Sequence, residues 1–206
     1  HKERIKQIPS SWKDLWNPEY RGFMVLTDIS NSYGLLGFLM INRVFGGTLD
    51  NIQPGLDAVR KLLPHATLVN KGPQVEQHFA QSGTKIAPFA QDYAYNLRQR
   101  GLPVEFVQPA EGSAAVYITA NVVAGRPNTD LAIKFVDFTL RPEAQIGFAE
   151  GLRYSPANEK AVLRPEVAKD VIYGEEQVAR LVRFSPKKIS ANRSAWTDAW
   201  NRLVAK

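Results

Sequence analysis

The 206-residue chain contains no cysteine, so neither a disulfide framework nor a thiolate metal site can be built from it. Exported bacterial proteins can lack disulfides and cytosolic enzymes can lack cysteine, so this absence alone does not choose a compartment. Long apolar runs are missing too. The best candidate, Tyr33 to Ile41, is interrupted by Gly34 and Gly37 and falls short of the roughly 18 residues that cross a bilayer. There is no Gly-x-Ser-x-Gly, no Walker loop, no His-Glu-x-x-His and no Cys/His cluster. His65 follows Pro64 in a turn and His78 falls on a polar helix face, so both read as solvated residues and not as catalysts. No paired nucleophile and base can be assembled. The sequence does not read as an enzyme, and nothing in it calls for a cofactor or a metal. No leader is visible at His1.

What is present is ordinary globular composition, 44% hydrophobic and 22% charged, enough for one substantial core or two small lobes. The net charge is +6. From residue 181 onward Arg183, Lys187, Lys188, Arg193, Arg202 and Lys206 face only Asp198, so nearly all of the excess sits in the last segment. A solvated helix face explains this most simply. Docking to an acidic partner comes second, and nucleic-acid binding third, because no aromatics are interleaved with the basic residues.

Strands and helices alternate through the first 110 residues. Phe23 to Thr27 reads as a buried strand. Asn31 and Ser32 then offer N-caps for a helix over 33–45, which Gly46-Gly47 ends. Pro54 opens and Pro64 closes a helix with Leu56, Val59, Leu62 and Leu63 at helical spacing. A strand over 66–69, a helix over 73–80, a strand over 85–89, a helix over 91–100 and a strand over 104–107 follow. The rhythm is α/β with crossover helices. Pro109 to Ser113 forms a turn-rich link into a long strand expected over 114–123. Beyond it the chain reads as helix, with segments from Thr129, from Pro142 and over 165–171, 174–182 and 190–205.

Several blocks carry a family likeness. Ser10-Ser11-Trp12-Lys13-Asp14-Leu15-Trp16-Asn17-Pro18-Glu19-Tyr20-Arg21-Gly22, followed at once by Phe23-Met24-Val25-Leu26-Thr27, resembles the start of the second lobe in periplasmic solute-binding proteins of ABC importers of the spermidine/putrescine-binding type. Gly101-Leu102-Pro103-Val104-Glu105-Phe106-Val107-Gln108-Pro109-Ala110-Glu111-Gly112 is similar to that family's return crossover. Lys134-Phe135-Val136-Asp137-Phe138-Thr139-Leu140-Arg141-Pro142-Glu143 resembles its lobe-one helix, and Tyr154-Ser155-Pro156-Ala157-Asn158 its Tyr-x-x-Pro-Asn turn with altered spacing. The ordered set covers almost the whole chain.

The resemblance implies a periplasmic-binding-protein type II α/β fold with two lobes, the first half of lobe one being absent from this chain. It places residues 1–16 as a lead-in from the first crossover, 17–108 as lobe two, and 109–206 as a strand plus the helical C-terminal part of lobe one. It implies a secreted, periplasmic receptor that closes two lobes around a small solute and hands it to an inner-membrane ABC permease, without covalent chemistry. A non-catalytic interaction module using the basic C-terminal helix is the alternative, with an enzyme on an α/β scaffold a more distant one.

Ligand contacts in such proteins come from strand ends and helix starts. One such junction runs from Thr27 to Tyr33 and nominates Asp28, Ser30, Asn31, Ser32 and Tyr33, although capping alone also accounts for Asn31 or Ser32. Aligned on Thr27-Asp28, the family's amine-binding acids fall on Ile29 and Ser32. Desolvated ammonium needs compensating charge, so a polar or zwitterionic solute is favoured over a naked polyamine. A second junction nominates Gln91, Asp92 and Tyr93, with helix-start stabilisation by Asp92 as the plainer reading. Tyr93 and Tyr95 point about 200° apart on a helix, which argues against the adjacent-tyrosine chelation of ferric-binding relatives. A third is the expected strand, where Tyr117 and Thr119 share the polar face and Val116 and Ile118 the other. Only one face can meet the cleft, and Tyr117 with Thr119 is the choice made here.

Overall fold

A computed structural model describes residues 1–205. In chain order it contains β1 (Met24–Thr27), α1 (Ser32–Val44), α2 (Gln53–Leu62), β2 (Ala66–Val69), α3 (Gly72–Gln81), α4 (Gln91–Gln99), β3 (Ser113–Ala114), α5 (Thr129–Thr139), α6 (Pro142–Leu152), α7 (Pro165–Ala168), α8 (Glu175–Ala179), β4 (Leu181–Val182) and α9 (Pro186–Val204). Two compact units result. Unit 1 joins His1–Ala115 to the stretch from Arg180 onward, and unit 2 is Val116–Ala179. The expected boundary at 108–113 kept 109–206 together, whereas here the final helix packs with the first hundred residues. No helix among the described residues is long and apolar enough to cross a membrane.

Unit 1 is α/β. β1 and β2 pair in parallel with Met24 opposite Ala66 and Thr27 opposite Val69. Every residue of β1 is buried, as expected of a parallel strand covered on both faces. The strand expected over 85–89 is reduced to one parallel bridge between Met24 and Ile86, and no strand forms over 104–107. Two apolar clusters cover the sheet. One joins Leu26, Leu35, Phe38, Leu39 and Ile41 to Leu56, Val59 and Leu62, and α9 adds Trp196, Trp200 and Leu203. The other gathers Val25, Val69, Val75, Phe79, Ala94, Leu97 and Val104. Trp196 and Trp200, one helical turn apart on α9, are both buried in this cluster and form a packing seam.

The opening block is a short 3-10 turn, Trp12–Trp16, capped by Ser11, with Asp14 accepting from the Ser10 and Ser11 amides at 2.7 and 3.0 Å. Trp12 Nε1 donates to the Gly112 carbonyl at 2.9 Å, so the block is tied to the Pro109–Gly112 link. A polar node sits inside this core. Asn42, 1% exposed, donates Nδ2 to the Thr48 and Asn51 carbonyls at 2.9 and 3.2 Å and accepts the Gly55 N–H at 2.9 Å. It fastens the α1–α2 connection to both helices and leaves neither end of its amide unsatisfied.

Unit 2 is helical. Its core is small: Ala149, Leu163, Val167 and Val171, with Ile146, Ala168 and Tyr173 against them. α5 buries none of its side chains, and Leu131, Ile133, Phe135 and Phe138 are each more than half exposed. The long strand expected over 114–123 is not formed. Only Ser113 and Ala114 pair, in parallel with Leu181 and Val182, and 116–123 has no strand partner.

Candidate functional site

The β1–α1 loop is built by local hydrogen bonds. Asp28 Oδ1 accepts the Ser30 amide at 2.8 Å, and the Asn31 backbone donates to the Asp28 carbonyl at 3.0 Å. Asn31 is the N-cap of α1, its Oδ1 accepting the Tyr33 amide at 2.8 Å. Of the two capping residues the sequence offered, Asn31 therefore does the work and Ser32 is left exposed, as is Ser30. Gly34 lets α1 approach closely: a Cβ there would lie 2.1 Å from the Asp28 carbonyl oxygen. Burial alone would raise the Asp28 carboxyl. Hydrogen bonds from Ser30 and Trp200, with the Arg193 charge nearby, outweigh it and hold the group below its ordinary value.

The start of α4 supplies the second group of nominated residues. Ala90 stands at the cap position and makes no side-chain bond, and Gln91, Asp92 and Tyr93 form the first turn. Burial pushes the Asp92 carboxyl above its ordinary value. The backbone amides of Asp92 and Tyr93 work against that shift, and Glu76 adds to it. Tyr93 packs edge-on to Phe89 with ring centroids 4.5 Å apart and to Tyr33 at 6.1 Å, while Tyr33 and Phe89 meet at 5.0 Å. Each such pair adds about 0.5–1.5 kcal/mol beyond simple burial. The Tyr93 hydroxyl lies over the start of α3, where a Cβ on Gly72 would come within 2.3 Å of it.

Two of the three nominated junctions thus meet in unit 1 through Tyr33 and Tyr93, with the half-buried Phe89 as the link between them. Phe89 was not nominated. Its only sequence signal was its place at the end of an expected strand, just before a helix. Chemically the cluster combines three aromatic faces and edges, exposed hydroxyls at Ser30 and Ser32, and a desolvated carboxylate in the adjoining turn. That set can hold the carbon skeleton, the polar groups and one positive charge of a small organic molecule. No group of residues suited to a metal ion occurs among the described residues.

Tyr117 and Thr119 belong to unit 2 and are exposed, with Asn121 Nδ2 donating to Thr119 Oγ1 at 3.2 Å. Val116 and Ile118 are exposed as well, so without a strand the alternation of faces selects neither pair. The basic tail is partly engaged inside unit 1. Lys188 pairs with Asp50 at 2.6 Å, and Arg193 donates to the Ile29 and Ser30 carbonyls at 2.8 and 3.1 Å. Arg183, Lys187 and Arg202 remain exposed.

Comparison with known proteins agrees with this architecture. The family model described as bacterial extracellular solute-binding protein matches residues 1–176. A spermidine/putrescine-binding periplasmic protein of Escherichia coli is 29% identical over 201 residues, covering 95% of this chain and 57% of the relative. A thiamine-binding periplasmic protein of Salmonella typhimurium is 24% identical over 213 residues, covering all of this chain and 60% of the relative. Among solved structures, an ABC transporter protein from Clostridium perfringens superposes with a TM-score of 0.81 at 25% identity, covering 96% of this chain and 63% of that one. The chain therefore spans somewhat under two thirds of the length of the proteins it matches. Its α/β fold is that of the periplasmic solute-binding proteins, and the chain belongs to the bacterial extracellular solute-binding protein family.

Proposed function

We propose that this chain forms part of a periplasmic receptor that captures a small polar organic solute, polyamine-like or zwitterionic, and delivers it to an ABC permease of the inner membrane. The observation that carries the reading is the convergence of the β1–α1 loop and the start of α4 on the Tyr33–Phe89–Tyr93 cluster, within a chain of this family. Ser30, Asn31, Ser32 and Tyr33 supply hydrogen-bonding groups and a ring. Gln91, Asp92 and Tyr93 supply an amide, a carboxylate and a second ring. Tyr117 and Thr119, exposed on unit 2, are candidate ligand contacts in their own right. The names of the relatives support the class of cargo, since spermidine/putrescine and thiamine are cationic organic molecules.

Two features narrow the solute. By the family resemblance, Ile29 and Ser32 stand where polyamine binders carry acids, and the Asp28 carboxylate is already engaged by the Ser30 amide and the Trp200 indole N–H with the Arg193 charge nearby. Asp92 is the nominated carboxylate left for a ligand cation, so a solute with one ammonium group and a balancing anion suits the site better than an uncompensated polyamine. Function then lies in binding alone. Ligand shifts the receptor toward its loaded state by its differential affinity, and no bond is made or broken.

Isothermal titration with spermidine, putrescine, γ-aminobutyrate and 2-aminoethylphosphonate tests this. Binding of a zwitterion, lost in Tyr93→Ala and Asp92→Asn, is the expected result. Tight spermidine binding would overturn the solute assignment. If Tyr93→Ala has no effect on any bound solute, the site assignment fails.

A further inference from the structure

The β1–α1 loop is held by a helix more than a hundred and fifty residues away. On α9, Arg193 and Trp200 are seven positions apart, two turns along one face. Arg193 Nη2 donates to the Ile29 carbonyl at 2.8 Å and to the Ser30 carbonyl at 3.1 Å. Trp200 Nε1 donates to Asp28 Oδ2 at 2.7 Å, and the Trp200 ring stands edge-on to Phe38 of α1 with centroids 5.5 Å apart. One helix face therefore grips Asp28, Ile29 and Ser30 in succession. The Asp28 carboxylate is engaged on both sides, Oδ1 by the Ser30 amide and Oδ2 by the indole. Trp200 is 2% exposed, so its N–H has no access to solvent water as an alternative partner.

We propose that Trp200 and Arg193 are positioning residues that fix the shape of the β1–α1 loop, and that Asp28 is their anchor and not a counter-charge for solute. The inference rests on the function proposed above, because it assigns the loop a ligand-presenting role. The physical reasoning concerns order. A loop carrying Ser30, Asn31, Ser32 and Tyr33 would otherwise have to be immobilised by its solute, which weakens binding by the entropy of that ordering. Charge-assisted bonds into Asp28 and two carbonyls hold the loop in place before solute arrives. The same arrangement sets specificity. A carboxylate that is bonded to the indole of a buried Trp200 and feels the Arg193 charge is a poor seat for an ammonium group, so the loop presents neutral groups and leaves cation recognition to Asp92.

Amide hydrogen exchange of the whole chain, read on the segment from Asp28 to Leu35 without any solute, tests the proposal. Trp200→Phe keeps an aromatic ring against Phe38 and removes the N–H together with the rest of the indole's five-membered ring, a packing loss for which the Leu203→Ala control below accounts. It is expected to speed exchange in that segment about tenfold or more, the loss of one hydrogen bond to a charged acceptor. Asp28→Asn should do the same, and the double variant should be no faster than either single change, because both remove one interaction. Arg193→Gln should also loosen the segment, and Arg193→Lys, which can still donate to both carbonyls, should restore protection. Leu203→Ala, a buried α9 residue with no bond to the loop, is the control and should lower Tm without a selective effect on the loop. Unchanged exchange in Trp200→Phe, additive effects in the double variant, or acceleration spread equally over β1, α1 and α2 would each overturn the proposal. These readouts need no solute, so a titration panel that binds nothing counts against the proposed function and leaves the loop anchoring to be judged on exchange alone.

Discussion

α1 and α5 are helices of similar length and comparable apolar content, yet one is the centre of a core and the other is bare. In unit 1, α1 buries Leu35, Phe38, Leu39, Met40 and Ile41, with β1 and α2 packed against it. In unit 2, α5 carries Leu131, Ile133, Phe135 and Phe138 with none of them buried. Apolar periodicity is a statement about a face that can be covered. It does not say that a cover is supplied, and the two helices separate those meanings. The same division explains the strands. β1 is a strand because β2 lies beside it, while 116–123 has strand-like sequence, no lateral partner and no strand.

The sharpest way to break this comparison is to delete the same side chain in both helices. Phe38→Ala removes a ring that is 2% exposed and should cost about 3–5 kcal/mol by urea unfolding. Phe135→Ala removes one that is 63% exposed and should change stability by less than about 0.5 kcal/mol. Equal losses would show that α5 is covered in solution and would end the contrast. Asn42→Leu comes next. It keeps the volume in the α1 core but orphans the Gly55 amide and two carbonyls, and about 2–3 kcal/mol should be lost, visible as a lower urea midpoint with an unchanged slope.

A smaller effect is expected from acid. The Asp28 carboxyl is held below its ordinary value in the folded chain, so its contribution is fully present above the unfolded-state value and is lost as pH falls through the folded one. The melting temperature should therefore decline below about pH 4. The decline should be shallower in Trp200→Phe, because that variant has already lost one of the bonds that lower the group. A decline of equal slope in both proteins would show that the indole does not stabilise the carboxylate. The smallest change belongs to Lys188→Ala. Its ion pair with Asp50 joins two side chains that are each more than half exposed, so thermal stability should move by under about 1 kcal/mol and less still in high salt.

Much of unit 1 was legible in the sequence. The helix expected over 33–45 is found at Ser32–Val44, and those expected over 73–80 and 91–100 lie within a residue or two of α3 and α4. Proline and glycine punctuation set those limits locally. The strands over 85–89, 104–107 and 114–123 were not, because pairing depends on what lies alongside and local propensity is silent on that. Tyr33 and Tyr93 were singled out separately, and their shared neighbour Phe89 was not, since ring contacts between distant segments leave no periodic trace. Asn42 was hidden inside an apolar helix. Its partners are the carbonyls and amide of a turn that only the folded chain brings to it. The burial that shifts Asp92 is likewise a property of the packed helix start.

Gly34 leaves no room for even a methyl group, because the loop backbone lies against the α1 axis at that point. Any enlargement of residue 34 would push Asp28 and the residues after it outward. On the function proposed above, changes of solute preference within unit 1 belong at positions 30 to 33 or in the first turn of α4, and not at 34. A library aimed at altered selectivity should randomise those positions and hold 34 constant.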